Sequence, residues 1–375
     1  PKHFQFNSAS RCTISTGMPL SSAHVFASHI GHSGKTTMCF QTSCSYAKRR
    51  PDEQVLVIDF TEEGDLTKRL LGGPDAASEK VSDLFGGVFR LLNDAAQQKA
   101  TGLTSWLWNR EIDLEKHAVR LADHNSKLPG NIFLVSSGAF PREEEQLDAA
   151  TCKRLAGNIR EALERSTKVW KVFCDTDGDR RPSALTRVAY CLCPETVVML
   201  HLSKCDLDRI ETMMGLLQEY RHKGDIDTQI ACIVWNFVKL HNKEPCISRG
   251  ELAIDLPFTP TKVCQDILEQ CIKRICDTNE ELPDLFLWGH LEPAEFVKKT
   301  ILVQKELADN VLKPSEELGL PFVQMMEDLE ASGKKQMNFQ SGGVKYDAKD
   351  EVIEGALNSM DELCARLGAV SLEDE

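Results

Sequence analysis

Residues 29–37 contain the side chains best suited to chemistry in this sequence. They read His-Ile-Gly-His-Ser-Gly-Lys-Thr-Thr and follow the apolar run Val25-Phe26-Ala27. The backbone amides of such a loop, at the start of a helix, can hold a phosphate group. Lys35 can reach the β and γ oxygens, and the Thr36 hydroxyl can bind Mg²⁺. The pattern therefore predicts the second half of a phosphate-binding loop, because the glycine that begins the general motif is His29 here.

Two aspartates end strand patterns that follow this loop in the chain. Asp59 closes the apolar run 54–59, and Asp175 closes the run 169–175 and begins Asp-Thr-Asp-Gly-Asp. Open parallel sheets bind ligands beyond the carboxyl ends of their strands. P-loop proteins hold Mg²⁺ there with an acid that follows a hydrophobic strand. We therefore predict Thr36, Asp59 and Asp175 as metal-binding residues, with a helix N-cap as the alternative role of a single aspartate.

Apolar strand patterns alternate with amphipathic helical patterns along the chain. Strands are predicted at 25–27, 54–60, 131–136, 169–175, 196–202, 229–237 and 285–289, and helices at 35–50, 84–96, 106–123, 143–165, 205–221 and 261–276. This alternation is typical of an α/β protein with a mostly parallel sheet. The predicted fold is the three-layer P-loop NTPase fold, with helices on both faces of the sheet, helical insertions and a C-terminal helix.

The chain divides into three predicted parts. Residues 1–22 are poor in acids and rich in hydroxyls, which is typical of an organelle transit segment or of a disordered leader. Residues 23–330 are predicted to form the nucleotide-binding domain, with helical insertions at about 73–130 and 239–284. Residues 331–375 are predicted to form a polar linker and an amphipathic helix with an acidic face. Such a face is unsuited to an anionic membrane, so we expect the helix to dock on its own domain or on a protein partner.

Composition argues against several classes of protein. The 375 residues have a net charge of −13, which disfavours non-specific binding to nucleic acid or to an anionic membrane. No apolar run approaches the ~18 residues of a membrane-spanning helix. The 14 cysteines do not have the spacing of a zinc site. We therefore expect a soluble protein of a reducing compartment, either the cytoplasm or the interior of an organelle.

Residues 30–37 resemble the Lys-Gly-Gly-Val-Gly-Lys-Thr-Thr loop of the ParA/MinD family of deviant Walker ATPases. The resemblance continues in order through 55–59, 64–72, 131–138, 175–176, 233–236 and 318–322. It covers most of residues 23–325 and implies ATP or ADP with Mg²⁺ as ligands. It also implies that Asn236 contacts the adenine. The loop residues that it implies at the nucleotide are Gly31, His32, Ser33, Gly34, Lys35, Thr36 and Thr37.

Three positions depart from the family pattern. Ile30 replaces a signature lysine that reaches across a dimer to the partner's phosphates. Thr61 replaces an aspartate that orients the attacking water, and Asp177-Gly178 replace a Pro-Pro pair. Isoleucine has no hydrogen-bond donor, and threonine is a poor general base. The departures predict weak or lost hydrolysis, and a monomer or a subunit of a larger assembly instead of a nucleotide-closed dimer.

Three functions are consistent with these observations. The first is a nucleotide-binding or scaffolding subunit that contacts protein partners through the helical insertions or the C-terminal helix. The second is an active ATPase that positions or segregates cargo. Its candidate catalytic residues are Asp177, Glu62 and Thr61, with Asp179 and Glu63 as further acids. The third is a P-loop ligase or synthetase of cofactor metabolism, which needs a substrate pocket that the sequence does not locate.

Overall fold

A central sheet and its flanking helices account for most of the chain in the computed structural model, which describes residues 20–80, 87–97, 112–137, 147–178, 181–242, 245–247, 255–256 and 258–368. The strands are β1 (Leu20–Ala27), β2 (Gln54–Asp59), β3 (Val119–Arg120), β4 (Ile132–Val135), β5 (Trp170–Asp175), β6 (Glu195–His201), β7 (Gln229–Val238), β8 (Leu240–Asn242), β9 (Cys246–Ile247), β10 (Asp255–Leu256), β11 (Thr259–Pro260), β12 (Ile301–Lys305), β13 (Gln336–Ser341) and β14 (Val344–Lys349). The helices are α1 (Lys35–Arg49), α2 (Asp65–Leu70), α3 (Pro74–Lys80), α4 (Gly87–Gln97), α5 (Leu114–His117), α6 (Ala149–Glu164), α7 (Ala184–Leu192), α8 (Lys204–His222), α9 (Lys262–Glu281), α10 (Pro293–Thr300), α11 (Asp309–Leu318), α12 (Phe322–Ser332) and α13 (Asp350–Arg366).

The main sheet has eight strands in the order β12-β7-β6-β1-β5-β2-β4-β3. Its neighbouring strands are parallel except for the edge pair β3 and β4. Alternate residues of a strand enter different hydrophobic cores, as with Val57 in one and Leu56 in the other. Because helices cover both faces, strands such as β5 are buried along their whole length. The predicted α/β fold with a mostly parallel sheet is confirmed.

Strand order brings the predicted site residues to one edge of this sheet. Strand β1 lies between β5 and β6, and β5 also pairs with β2. Asp59 and Asp175 are partners in the β2–β5 register, and Phe26 of β1 is opposite Asp175. The loop that follows β1 therefore begins beside β5, and β2 is the next strand beyond β5.

The last strand of the sheet differs from the prediction. Residues 285–289 were expected to form it, but a 3-10 turn covers Pro283–Leu285, and Phe286 makes only an isolated bridge with Ile230. The Phe286 ring packs edge-on against Phe296 at 5.2 Å between ring centroids. Burial of this apolar run, and not strand pairing, accounts for its hydrophobicity. Strand β12 takes the edge position instead.

The predicted insertions and linker also contain more strand than expected. A helix was expected over 106–123. Residues 106–111 of it lie outside the described residues, and the described part forms α5, β3 and a 3-10 turn. The insertion at 239–284 combines α9 with the short pairs β8–β11 and β9–β10. The expected linker at 331–343 forms the end of α12 and the strand β13, which pairs with β14 as a hairpin.

The C-terminal helix docks on its own domain. Helix α13 packs against α1 and α12, and its apolar face is buried. The Cys364 thiol lies 3.5 Å from the Thr42 carbonyl oxygen of α1, and Arg49 of α1 is ion-paired with Asp361. Of the two docking alternatives, the structure therefore shows the intramolecular one.

Part of the N-terminal prediction falls outside the structure, since residues 1–19 are not among the described ones. Within the ranges that the structure describes, no helix is both long enough and apolar enough to cross a membrane.

Candidate functional site

The loop between β1 and α1 borders a cavity of about 620 Å³. This volume lies within the usual range of small-molecule sites. Further walls come from the segments that follow β2 and β5, and from α11. Six of the eight predicted nucleotide-binding residues line the cavity: Gly31, His32, Gly34, Lys35, Thr36 and Thr37.

Two residues in left-handed backbone conformations shape the loop. His32 has φ +61° and Gly34, the N-cap of α1, has φ +86°. A Cβ on Gly34 would lie 2.3 Å from the Asn236 amide nitrogen, so both backbone and space require glycine there. Asn236 donates to the Ser33 carbonyl oxygen at 3.3 Å. This hydrogen bond holds the loop on the side away from the cavity, which neither Asn236 nor Ser33 lines. The adenine contact of Asn236 stays a prediction.

Lys35 occupies the first position of α1 and is buried at the cavity wall. Its ammonium group donates to the Ser28 hydroxyl at 3.0 Å, which holds the side chain along the loop. The first turn of α1 contains no acidic residue. The positive end of the helix dipole and the Lys35 charge therefore act in the same direction, toward an anion in the cavity.

Asp175 is completely buried at the end of β5, and neither of its carboxylate oxygens has a hydrogen-bond partner among the described residues. Burial raises its pKa to about 7, and the charge of Asp59 adds to the rise, while Lys35 and the Thr36 hydroxyl oppose it. A buried acceptor without a partner is costly, so such a group in a native fold needs an explanation. A hydrated Mg²⁺ between Asp175 and Thr36 would supply the missing donors.

A metal ion would depend on oxygen ligands from several sources. The described part of the chain holds no cluster of three or more His, Cys, Asp or Glu side chains suited to bind a metal alone. Mg²⁺ characteristically keeps several waters and combines one or two protein oxygens with phosphate oxygens. Thr36 and the unpartnered Asp175 therefore fit Mg²⁺ that arrives with a nucleotide.

Asp59 is engaged differently from Asp175. One of its oxygens accepts from the Thr61 amide at 3.1 Å and from the Thr61 hydroxyl at 2.6 Å. The other accepts from the Thr67 amide at 2.8 Å and from the Thr67 hydroxyl at 2.7 Å. Burial raises the Asp59 pKa, and these four hydrogen bonds lower it. Asp59 therefore anchors the segment that follows β2, and its predicted role as a metal ligand stays a prediction.

The same hydrogen bonds decide what the Thr61 side chain can do. Its hydroxyl donates its proton to Asp59 and accepts from the Gly64 amide at 3.1 Å. A hydroxyl has one donor, so Thr61 cannot also donate to a water molecule in this arrangement. Although Thr61 borders the cavity, its hydroxyl serves the loop that leads into α2.

Four carboxylates beyond the strand ends do line the cavity. Glu62, Glu63 and Asp65 are exposed, and Asp177 is half-buried. Asp179 lies outside the described residues. Next to Asp177, a Cβ on Gly178 would lie 2.3 Å from the carbonyl carbon of Ile30. The segment Asp177-Gly178 therefore packs directly against the backbone of Ile30, at a point where only glycine fits.

The cavity also contains residues that sequence reasoning missed. Arg69 of α2 donates to the Thr37 hydroxyl at 2.6 Å and is ion-paired with Glu316 of α11 at 3.0 Å. Arg69 follows Asp65 by one helical turn, so their shared helix face is a local signal that could have indicated it. No local signal points to Glu316, which lies 279 residues beyond Thr37 in the chain.

These features define a class of protein. A loop that ends in glycine follows a central parallel strand, and a buried lysine and two threonines begin the next helix. Two neighbouring strands end in aspartate. These are the features of the P-loop NTPase fold.

This chain was compared with protein-family models, curated proteins and solved structures. No protein-family model matches this sequence, and no curated protein matches it. Apo McdA of Cyanothece is similar in structure, with a TM-score of 0.52 at 13% identity over 93% of this chain and 100% of that chain. A chain of the MinC:MinD cell division complex of Aquifex aeolicus gives 0.45 at 11% identity over 92% and 96%. Cobyrinic acid a,c-diamide synthase of Mycobacterium smegmatis, with bound ADP and magnesium, gives 0.45 at 15% identity over 68% and 82%.

The similarity to McdA decides the fold assignment. It extends over nearly all of both chains, and McdA is a ParA/MinD-type ATPase. This chain therefore has the ParA/MinD-type fold, and the resemblance predicted from sequence is confirmed at that level.

Proposed function

We propose that this protein binds ATP or ADP together with Mg²⁺, hydrolyses the nucleotide slowly or not at all, and acts as a binding or scaffolding subunit. The observation that supports this most directly is the unpartnered, fully buried carboxylate of Asp175 beside Thr36 and Lys35. The Thr36 hydroxyl and the charges of Lys35 and Arg69 offset its burial only in part, so its retention favours a ligand that supplies further donors.

Charge in the cavity supports a requirement for the metal. Five carboxylates and two cations line it, which gives a formal charge of −3. The phosphates of a nucleotide are also anionic, so the two would repel each other across the low-dielectric wall. Mg²⁺ bound to the phosphates reduces that repulsion and, when present, neutralises charge that develops on the phosphoryl group. We therefore expect tight nucleotide binding only when a divalent cation is present.

Slow hydrolysis is supported by the groups on the catalytic side. Ile30 brings no charge, and the Thr61 hydroxyl is already bonded to Asp59. Loss of one preorganised contact to a reacting group costs about 10²–10³ in rate. Two such losses would reduce turnover by roughly 10⁴ or more while leaving the loop amides and Lys35 to bind phosphate.

A second function has one observation in its favour. Asp177 lines the cavity from the segment that touches the phosphate loop, so its carboxylate could orient a water molecule in place of Thr61. In that case the protein is an active ATPase with a relocated water-orienting group.

Partner binding is proposed through the insertions. Because α13 already packs its apolar face on α1, the regions 73–130 and 239–284 remain as the proposed contact surfaces. The second of these exposes Val263 on α9 to 68%.

Calorimetric titration with Mg·ATP and Mg·ADP tests the binding proposal. Lys35→Ala should abolish binding, because it removes the buried cation of the loop. Lys48→Ala is the matched control on the same helix: its side chain is 47% exposed, pairs with Glu327 outside the cavity, and should not affect binding. Absence of binding by the unmodified protein would refute the proposal.

Phosphate release distinguishes slow hydrolysis from the active ATPase. We expect negligible release from the unmodified protein at saturating Mg·ATP. Robust release that Asp177→Asn or Glu62→Gln abolishes, while each variant still binds Mg·ATP, would establish the active ATPase instead.

A further inference from the structure

We propose that Arg69 binds the phosphate chain of the nucleotide from within the same subunit. This inference rests on the proposed nucleotide binding and adds a phosphate-binding residue from outside the loop.

Position is the first argument. The carboxylate of Asp59 holds the Thr67 amide and hydroxyl, which fixes the first turn of α2 and places Arg69 one half-turn further on. The Arg69 side chain is only 17% exposed, and its guanidinium group donates to the Thr37 hydroxyl at 2.6 Å. Thr37 is in the first turn of α1, where a phosphate would meet the helix N-terminus. Arg69 is therefore held at the phosphate end of the cavity.

Donor capacity is the second argument. A guanidinium group has five N–H donors in a planar fork. Arg69 uses one on Thr37 and one on Glu316, so further donors remain for phosphate oxygens. Arginine suits such oxygens because two parallel N–H groups can bind them at once.

Charge is the third argument. Among the described residues that line the cavity, Lys35 and Arg69 are the side chains that are cationic at neutral pH. Burial raises the pKa of Asp175, and the charge of Arg69 has a smaller, opposite effect that lowers it. Arg69 is thus near both the acid that would face the metal and the start of α1.

Glu316 has the opposite effect on an anionic ligand. Its carboxylate lines the cavity and pairs with Arg69 at 3.0 Å, so it neutralises part of the charge that a phosphate would use. Removal of the Glu316 charge should strengthen nucleotide binding, and removal of the Arg69 charge should weaken it. If the pair merely fastened α2 to α11, both changes would act in the same direction.

This difference in sign forms the test, with Kd for Mg·ATP as the readout. We expect Arg69→Gln to weaken binding about tenfold or more and Glu316→Gln to strengthen it about threefold or more. Arg69→Lys, which keeps the charge and loses the fork, should fall between Arg69→Gln and the unmodified protein. Arg49→Gln is the control: Arg49 is 15% exposed and ion-paired like Arg69, but lies at the far end of α1, and its loss should leave Kd unchanged.

Unchanged affinity in Arg69→Gln, or weaker binding in both Arg69→Gln and Glu316→Gln, would overturn the proposal while the unmodified protein still binds Mg·ATP. Failure of the unmodified protein to bind would instead overturn the proposed function. If Arg69→Gln does not fold, as judged by thermal unfolding without nucleotide, Glu316→Gln decides, because unchanged or weaker binding there also contradicts the role.

Discussion

Replacement of Asp175 by asparagine removes a buried group whose pKa is raised to about 7 in the folded protein. In an unfolded chain the pKa of aspartate is about 3.9. Between these two values the folded state binds more protons than the unfolded state, so the free energy of unfolding falls as pH rises. The contribution is fully present below the unfolded pKa and is lost as pH passes the folded pKa. At about 1.4 kcal/mol per pKa unit, the total loss is about 4 kcal/mol.

Urea unfolding at pH 5 and pH 8, without nucleotide or divalent cations, measures this contribution. Over that interval the linkage relation assigns roughly 2–3 kcal/mol of lost stability to Asp175. The unmodified protein should therefore lose roughly 2–3 kcal/mol more than Asp175→Asn when the pH is raised. A constant penalty for the buried asparagine amide cancels in this comparison, because the amide does not titrate.

Asp148→Asn provides the control. Asp148 caps α6 by accepting from the Thr151 amide, and hydrogen bonds with the Thr151 side chain and amide lower its pKa. Its titration therefore lies below pH 5, and its replacement should change stability equally at both pH values. Equal pH dependence in Asp175→Asn and the unmodified protein would refute the assignment of a proton-binding, unpartnered carboxylate at this position.

The remaining predictions concern the anchored segment after β2 and the oligomeric state. Thr67→Val removes a hydroxyl that donates to Asp59 at 2.7 Å and accepts from the Ser137 amide at 3.0 Å. It should reduce the free energy of unfolding by about 1–3 kcal/mol, since buried partners lose their hydrogen bonds. Thr212→Val on the exposed side of α8 should change it by less than about 0.5 kcal/mol in the same urea assay, and equal effects would contradict the role of Thr67. Light scattering should give the monomer mass with and without Mg·ATP, because Ile30 cannot bridge two subunits, and a mass that doubles with nucleotide would contradict this.

Local sequence was sufficient to locate the loop that borders the cavity. The residue types at 34–37 form a contiguous motif, and its chemistry depends on the backbone of one strand–loop–helix unit. The acids at the ends of β2 and β5 were predictable for the same reason, since a buried apolar run that stops at aspartate indicates a strand end. Parallel pairing then required both ends to lie at one edge, as the register of Asp59 with Asp175 shows.

The C-terminal region could not be predicted in the same way. Residues 331–343 are polar and contain glycine, so they have the composition of a linker. In the structure, residues 336–341 instead pair with 344–349 as the hairpin β13–β14 against α11. Hairpin formation there depends on cross-strand partners and on packing against a distant helix, which composition does not specify.

Sequence alone therefore located the loop after β1 and the two aspartates at one edge of the sheet, because these depend on contiguous residues and on strand ends. Only the tertiary structure decided which hydrogen bonds and ion pairs the surrounding side chains form. Asp59 bonds to Thr61 and Thr67, whereas Asp175 has no hydrogen-bond partner among the described residues, although both end a strand in the same way. Arg69 faces the start of α1 with Glu316 beside it, because the fold brings α2 and α11 together across most of the chain. Such hydrogen-bond partners and counter-charges come from segments that are distant in the chain. Their positions depend on how the helices and strands pack, and residue spacing does not specify that packing.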